Sequence, residues 1–159
     1  AGVVQPVGAL GDQTPAAIAH AIALNVAAPI SLSAAVVAMS PGAERRILHI
    51  SSGAGRNAYP GWSVYCATKA ALDQHARAVA LDAVPGVRIC SLAPGVIDTE
   101  MQAEIRAMPP ERFPLRDRFV ELQRAGELST PQATARVVVE YLLATGFGSE
   151  PVDDLRTTG

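Results

Sequence analysis

Two short apolar runs limit what this chain can become. The run Arg46-Ile47-Leu48-His49-Ile50 ends in serines, and the run over 87–92 ends at Pro94-Gly95. Each is too short for a stable helix and is bounded by turn residues, so each predicts a buried strand. Between them, residues 64–83 carry helical periodicity and stop before Pro85-Gly86. Strand, helix and strand in that order, with apolar strands, predict a parallel sheet in an α/β fold.

The flanks fit the same class. Residues 1–13 read as a loop. Thr14-Pro15 predicts a helix start, a capping hydroxyl followed by proline at the first helical position. That helix runs to about Met39 and ends at Ser40-Pro41-Gly42, and Pro29 either kinks it or divides it in two. Its apolar stretch is interrupted by His20, Asn25, Pro29 and Ser31, so it reads as a buried helix and not a membrane span. Residues 53–61 read as a loop. Residues 99–126 carry Pro109-Pro110 and Pro114 and predict a short helix, a break and a second, amphipathic helix. The segment 100–128 is expected to act as a substrate lid. Thr130-Pro131 opens a last helix that stops at Gly146, and a final short strand is expected within 147–153.

Composition narrows the function classes. A length of 159 residues allows one domain with a sizeable core, and 49% hydrophobic residues with 18% charged ones describe a globular chain. A net charge of −2 makes no electrostatic case for nucleic acid or an anionic membrane. No charged leader with a cleavable apolar segment opens the sequence. Cys66 and Cys90 read as reduced thiols, and a cytoplasmic location is expected. His20, His49 and His75 are scattered, so no metal site is expected.

The chemistry concentrates in Tyr65-Cys66-Ala67-Thr68-Lys69, with Ser52 thirteen residues before the tyrosine. On a helix, positions i and i+4 share a face, so the phenol and the ammonium project together. A phenol near pKa ~10 is a poor acid-base catalyst at neutral pH, and a nearby cation favours its phenolate. A serine at a strand end can hold a carbonyl oxygen. Blander readings stand beside these: a packed tyrosine, a solvated lysine, and a serine that caps a turn, a task Ser51 could take instead.

These residues resemble the short-chain dehydrogenase/reductase family. Ala1-Gly2 looks like the end of its Asn-Asn-Ala-Gly segment. Asn25 in Leu24-Asn25-Val26 looks like its structural asparagine. Ile50-Ser51-Ser52 followed by Tyr65-x-x-x-Lys69 looks like its catalytic serine, tyrosine and lysine. Pro94-Gly95-x-x-x-Thr99 looks like its Pro-Gly loop. The four matches follow family order over nearly the whole chain. The segments around Trp62, Asp98-Thr99-Glu100-Met101 and residues 121–128 are similar to the branch holding the sepiapterin and benzil reductases.

The resemblance implies a Rossmann-like, doubly wound parallel sheet that binds NADP, with NAD as the alternative. Asn25, Ser52, Tyr65 and Lys69 are implied as catalytic. Gly2, Tyr65, Lys69, Pro94, Gly95, Val96, Ile97 and Thr99 are implied at the cofactor. Ser51, Ser52, Tyr65, Gly95 and Asp153 are implied at a small carbonyl substrate. Asn25 would hold a kink and a proton-relaying water. Thr99 also suits a helix N-cap, and Asp153 suits a solvated site. A homodimer or homotetramer is implied, formed through the helices carrying Asn25 and Tyr65. The family's glycine-rich phosphate turn does not appear: Gly53 and Gly55 follow a strand but lack a third glycine at the right spacing. The expectation is therefore a single partial dinucleotide-binding domain over 1–159, without the N-terminal strands and that turn, inactive by itself. The alternative is a non-catalytic fragment or a subunit that packs against a partner.

Overall fold

A computed structural model of the chain describes residues 2–39 and 41–157. Ala1, Ser40, Thr158 and Gly159 lie outside the described residues, and with them half of the Ala1-Gly2 pair and the helix stop expected at Ser40. In chain order the elements are α1 (Pro15–Ile22), a π-helical turn (Ala23–Ala27), α2 (Ala28–Met39), β1 (Arg45–Ile50), α3 (Ser63–Leu81), β2 (Val87–Ala93), α4 (Glu100–Ala107), α5 (Arg116–Arg124), α6 (Pro131–Leu143) and β3 (Val152–Asp154).

The sheet is parallel, in the order β1-β2-β3. Arg45 stands opposite Val87 and the register continues to Ile50 opposite Leu92. β3 joins the far side of β2, with Ser91 opposite Val152. Because side chains alternate along a strand, the sheet has two apolar faces. Ile47 and Ile89 meet Ala76 and Val79 of α3 and Val37 of α2. Cys90, Leu92 and Leu48 meet Val138, Tyr141 and Leu142 of α6, together with Phe147. Helices therefore cover both faces, the layering of a doubly wound α/β fold. A third cluster gathers Val4, Val7, Trp62, Phe113 and Phe119 around the segment that follows β1.

Helix α3 buries Val64, Tyr65, Thr68, Lys69, Leu72, Asp73 and Ala76. Those positions recur at the helical period and form one stripe against the sheet. The stripe carries polar residues among apolar ones, so the packing face of α3 is also its chemical face.

The segment Pro15–Met39 is one continuous helix of 25 residues. Thr14 caps it as the sequence predicts, its Oγ1 accepting the Ala17 amide at 3.2 Å. Pro29 does not divide it. Proline has no N–H for the carbonyl of Asn25 four residues earlier, so the ladder is open there, and the π-helical turn lies at that opening. The expectation of a buried helix is corrected: 6% of its apolar window is buried, and Leu32 and Met39 are 68% and 82% exposed. Only one side of the helix meets α3, the sheet and the opening loop, and the described residues leave the rest uncovered. By length and apolarity alone this helix could cross a membrane. Its central Asn25 instead docks it onto the domain. Asn25 Oδ1 accepts the Val3 amide at 2.9 Å, and Nδ2 donates to the Val3 carbonyl at 2.8 Å and to Thr68 Oγ1 at 3.3 Å.

Two stability effects are expected. Asn25→Ala removes three hydrogen bonds at a buried position and should cost about 2–3 kcal/mol in urea unfolding. His49 on β1 is 5% exposed and lies 3.3 Å, Nε2 to Nδ1, from His75 on α3. Burial, then the charges of His75 and Lys69, push it from 6.5 down to about 4. The unfolded chain therefore takes up this proton first. Stability should fall as pH drops from 6.5 to about 4, with a slope approaching about 1.4 kcal/mol per pH unit for this group. Unfolding midpoints measured across that window should be flatter for His49→Gln.

Candidate active site

The parallel register sets the ends of β1 and β2 level, so the loops that follow them emerge side by side. The Ser51 amide donates to the Leu92 carbonyl at 2.8 Å, which extends the ladder one residue into the first loop. Beyond it lies a 3₁₀ turn, Gly53–Gly55. Beyond β2 lies Pro94-Gly95, where Gly95 has φ +87°, a conformation a side chain rarely adopts. Between the loops opens a cavity of about 440 Å³. Small-molecule sites commonly span roughly 300–1,000 Å³.

Gly2, Ser51, Ser52, Tyr65, Lys69, Pro94, Gly95, Val96, Ile97 and Thr99 all line this cavity. Asn25 stands behind it, joined to the wall through Val3 and Thr68. Asp153 does not line it. Its Oδ2 accepts from Tyr141 Oη at 2.8 Å and its Oδ1 from the Asp154 amide at 2.7 Å, so its carboxylate belongs to the α6 side of the sheet. The strand pleat decides this: on β3 the side chain of residue 153 points to the face opposite the site.

Tyr65 is 8% exposed and packs edge-on against Trp62 at 5.2 Å between ring centroids. Burial raises the pKa of its hydroxyl above the ordinary phenol value, and a hydrogen bond with Ser52 works against that rise. The depression of Tyr65 by Lys69 that the sequence predicts is not found. The ammonium of Lys69 donates to the Ile50 carbonyl at 2.8 Å and lies 5.6 Å from the centre of the tyrosine ring. Burial lowers Lys69 itself from 10.5 to about 8, with Asp73 opposing. Ser52 caps the 3₁₀ turn by accepting the Ala54 amide at 3.2 Å, which leaves its own proton to donate. Ser51 does not share that capping. It is 3% exposed and gives its hydroxyl to Asp73 at 2.6 Å. Thr99 caps α4, accepting the Gln102 amide at 3.4 Å, while also lining the cavity.

The remaining wall is largely apolar. Trp62 both covers the core and faces the cavity: it stacks on Phe113 at 4.6 Å and lies 5.6 Å from Phe119. Tyr59, Met101, Ile105, Phe119 and Leu122 complete this side. Two cationic side chains, Arg118 and Arg156, also line the cavity. Sequence reasoning missed both, since neither stands near the serine-tyrosine-lysine motif. A sharper signal was available for the lysine. Lys69 is the chain's one lysine among thirteen basic residues, and it sits on the buried stripe of α3. Asp73, one turn further along the same stripe, was missed for want of that comparison.

Among the described residues there is no group of three or more metal-ligating side chains, and Cys66 and Cys90 are free thiols.

Comparison with known proteins places this arrangement. A family model described as short chain dehydrogenase matches residues 1–110. The benzil reductase ((S)-benzoin forming) of Bacillus cereus is 35% identical over 152 residues, covering 92% of this chain and 61% of the relative. The sepiapterin reductase of Meriones unguiculatus is 33% identical over 147 residues, covering 89% of this chain and 55% of the relative. A short chain dehydrogenase from Burkholderia cenocepacia J2315, solved in complex with NADP, superposes with a TM-score of 0.73 at 27% identity, covering 96% of this chain and 60% of that one. The chain thus spans somewhat more than half the length of the curated relatives it matches. The serine, tyrosine and lysine at one strand end, the Pro-Gly loop beside them and the sequence matches agree: the chain belongs to the short-chain dehydrogenase family.

Proposed function

We propose that the protein reduces a ketone with the hydride of NAD(P)H at this cavity. The observation that carries the reading is the meeting of Ser52, Tyr65 and Lys69 from two elements in one cavity whose other wall is apolar and aromatic. The chain's residues fit the nicotinamide-ribose end of the cofactor. Gly2, whose missing side chain makes room for Asn25 Oδ1, and the positive-φ Gly95 line the wall without side chains, and Lys69, Thr99 and the backbone at Val96 and Ile97 offer polar groups beside them. NADP is favoured by the likeness to the sepiapterin and benzil reductases and to the NADP-bound relative, with NAD as the alternative. A glycine-rich phosphate turn is not among the described residues.

When bound, NAD(P)H supplies the hydride. Tyr65, kept protonated by burial, gives the proton to the ketone oxygen. Ser52 donates a hydrogen bond to the same oxygen as charge develops on it. Lys69 has three protons, one spent on the Ile50 carbonyl, and the others serve the ribose hydroxyls and the relay to Tyr65. Asn25 has its side chain occupied, so it would join that relay through its carbonyl, which Pro29 leaves without the usual helical donor.

The aromatic and aliphatic wall suits a ketone with an apolar or aromatic body, such as a diketone or a pterin. The segment 100–128 acts as its lid, since α4 and α5 place Met101, Ile105, Phe119 and Leu122 on the cavity. Assembly as a homodimer or homotetramer uses the outer side of α1 and α3, where Leu10, Ile18, Ile22, Val26 and Val64 line an apolar groove. A cytoplasmic location suits the two free thiols. The uncovered helix Pro15–Met39 favours one other reading, a subunit that packs against a partner without turning over substrate.

The test is NADPH consumption with a diketone and pterin panel, for this chain and for the chain with whatever its gene encodes upstream of Ala1. Turnover in the longer protein is expected, lowered roughly 10²–10⁴-fold by Tyr65→Phe and roughly 10²–10³-fold by Ser52→Ala. Absence of turnover in either, with folded protein and saturating cofactor, would leave the packing subunit as the reading. Lys69 loses its charge through about pH 8, so kcat for reduction should decline as pH rises through that value. A Lys69→Arg variant should not show that decline.

A further inference from the structure

Asp73 is 1% exposed, yet it is a carboxylate at the centre of the molecule. Its Oδ1 accepts from Ser51 Oγ at 2.6 Å and from Ser91 Oγ at 2.7 Å, and its Oδ2 accepts from Arg56 Nε at 3.2 Å. These donors come from three places: the loop carrying Ser52, strand β2, and the residue that ends the 3₁₀ turn. Arg56 continues outward, donating to the Asp153 carbonyl at 2.8 Å and lying 3.6 Å from Asp154. Asp154 in turn holds Arg156 of the cavity wall at 2.6 Å. The turn is seated closely as well. A side chain at Gly55 would come within 2.8 Å of Asp73 Oδ2 and 3.1 Å of the Lys69 carbonyl.

A buried carboxylate is retained at low cost only where charge-assisted donors replace its water. Here two of the three donors, Ser51 and Arg56, belong to the loop and turn around Ser52, the third, Ser91, belongs to β2 beneath them, and the carboxylate itself stands on α3, the helix that presents Tyr65 and Lys69. We propose that Asp73 is a positioning residue, which fastens the loop carrying Ser52 to the helix carrying Tyr65 and Lys69 and so sets the spacing of the reacting groups. Asp73 touches neither substrate nor cofactor, because it does not line the cavity. It acts through Ser51 and Arg56 on the turn, and through its charge on Lys69. The groups facing Lys69 are the Tyr65 ring and Asp73 on its own helix, His49 on β1, and the Ile50 carbonyl. Of these, Asp73 is the one anion.

The inference rests on the reading of Ser52, Tyr65 and Lys69 as the reacting groups, and two readouts keep the claims separable. The protein with its upstream sequence is labelled with carbon-13 at lysine, and the Lys69 signal is identified by its loss in Lys69→Arg. Its titration midpoint and kcat are then followed in Asp73→Asn. The expected result is a kcat lowered about tenfold or more with KM changed less than about threefold, and a midpoint below the value of the unaltered protein. The direction discriminates: losing the anion in an intact fold lowers the midpoint, whereas a loosened fold raises it toward 10.5. A midpoint that rises or stays, or a kcat within about twofold of the parent, overturns the proposal.

Should Asp73→Asn fail to fold, Arg56→Met removes the turn's charged tether and leaves both serine bonds. Amide exchange at residues 53–57 should then quicken about tenfold with a fall in kcat, and unchanged exchange overturns the proposal. If the parent protein turns over no ketone, the proposed reaction fails, while the Lys69 midpoint and the exchange of the turn still decide the role of Asp73.

Discussion

The site depends on the parallel pairing of β1 with β2. Six consecutive residue pairs, Arg45 with Val87 through Ile50 with Leu92, bring the two strands to the same height. In a parallel pair both chains leave the sheet at the same end, so the loops after both strands are neighbours without any further device. The helix that makes the crossover must then pass over the sheet, and its buried stripe lies against those same loops. A ligand cavity bounded by two loops and one helix follows from this topology. A slip of one residue would turn Ser91 away from Asp73 and break the network beneath it.

Burial divides the roles among the polar residues. Lys69, Asp73, Ser51, Ser91 and Asn25 are all buried, and each has a specific hydrogen-bond partner. Their partners are each other, Thr68, Arg56, or the main chain of β1 and the opening loop. A packed interior tolerates such groups only when their bonds are made, so the network specifies one arrangement of the loops. The cavity itself is bordered by an aromatic cluster in which Trp62 stacks on Phe113 and touches Tyr65. That cluster gives the tyrosine its apolar surroundings and hence the raised pKa of its hydroxyl. The same surroundings strengthen any charge interaction inside the cavity.

Much of this was legible in the residues. The apolar runs located β1 and β2, and Thr14-Pro15 and Thr130-Pro131 marked helix starts that the threonines do cap. The spacing of Tyr65 and Lys69 on one helix face is a matter of helical period and needs no tertiary information. Other features lay beyond the residues' reach. The face to which Asp153 points depends on which side of β3 the rest of the molecule covers. The orientation of Lys69 depends on the Ile50 carbonyl, which only the folded crossover brings within 2.8 Å. The degree to which Pro15–Met39 is covered depends on what packs around it, not on its own hydropathy.

By itself the sequence determined the elements, their parallel order and the family, because period, turn chemistry and motif spacing are local properties. The tertiary structure alone decided which polar residues meet. Asp73 with Ser51, Ser91 and Arg56 is a set of contacts between residues 17 to 22 positions apart. The reason is physical: a carboxylate in a sequence is one of many solvated charges until packing removes its water, and only then must it find these donors.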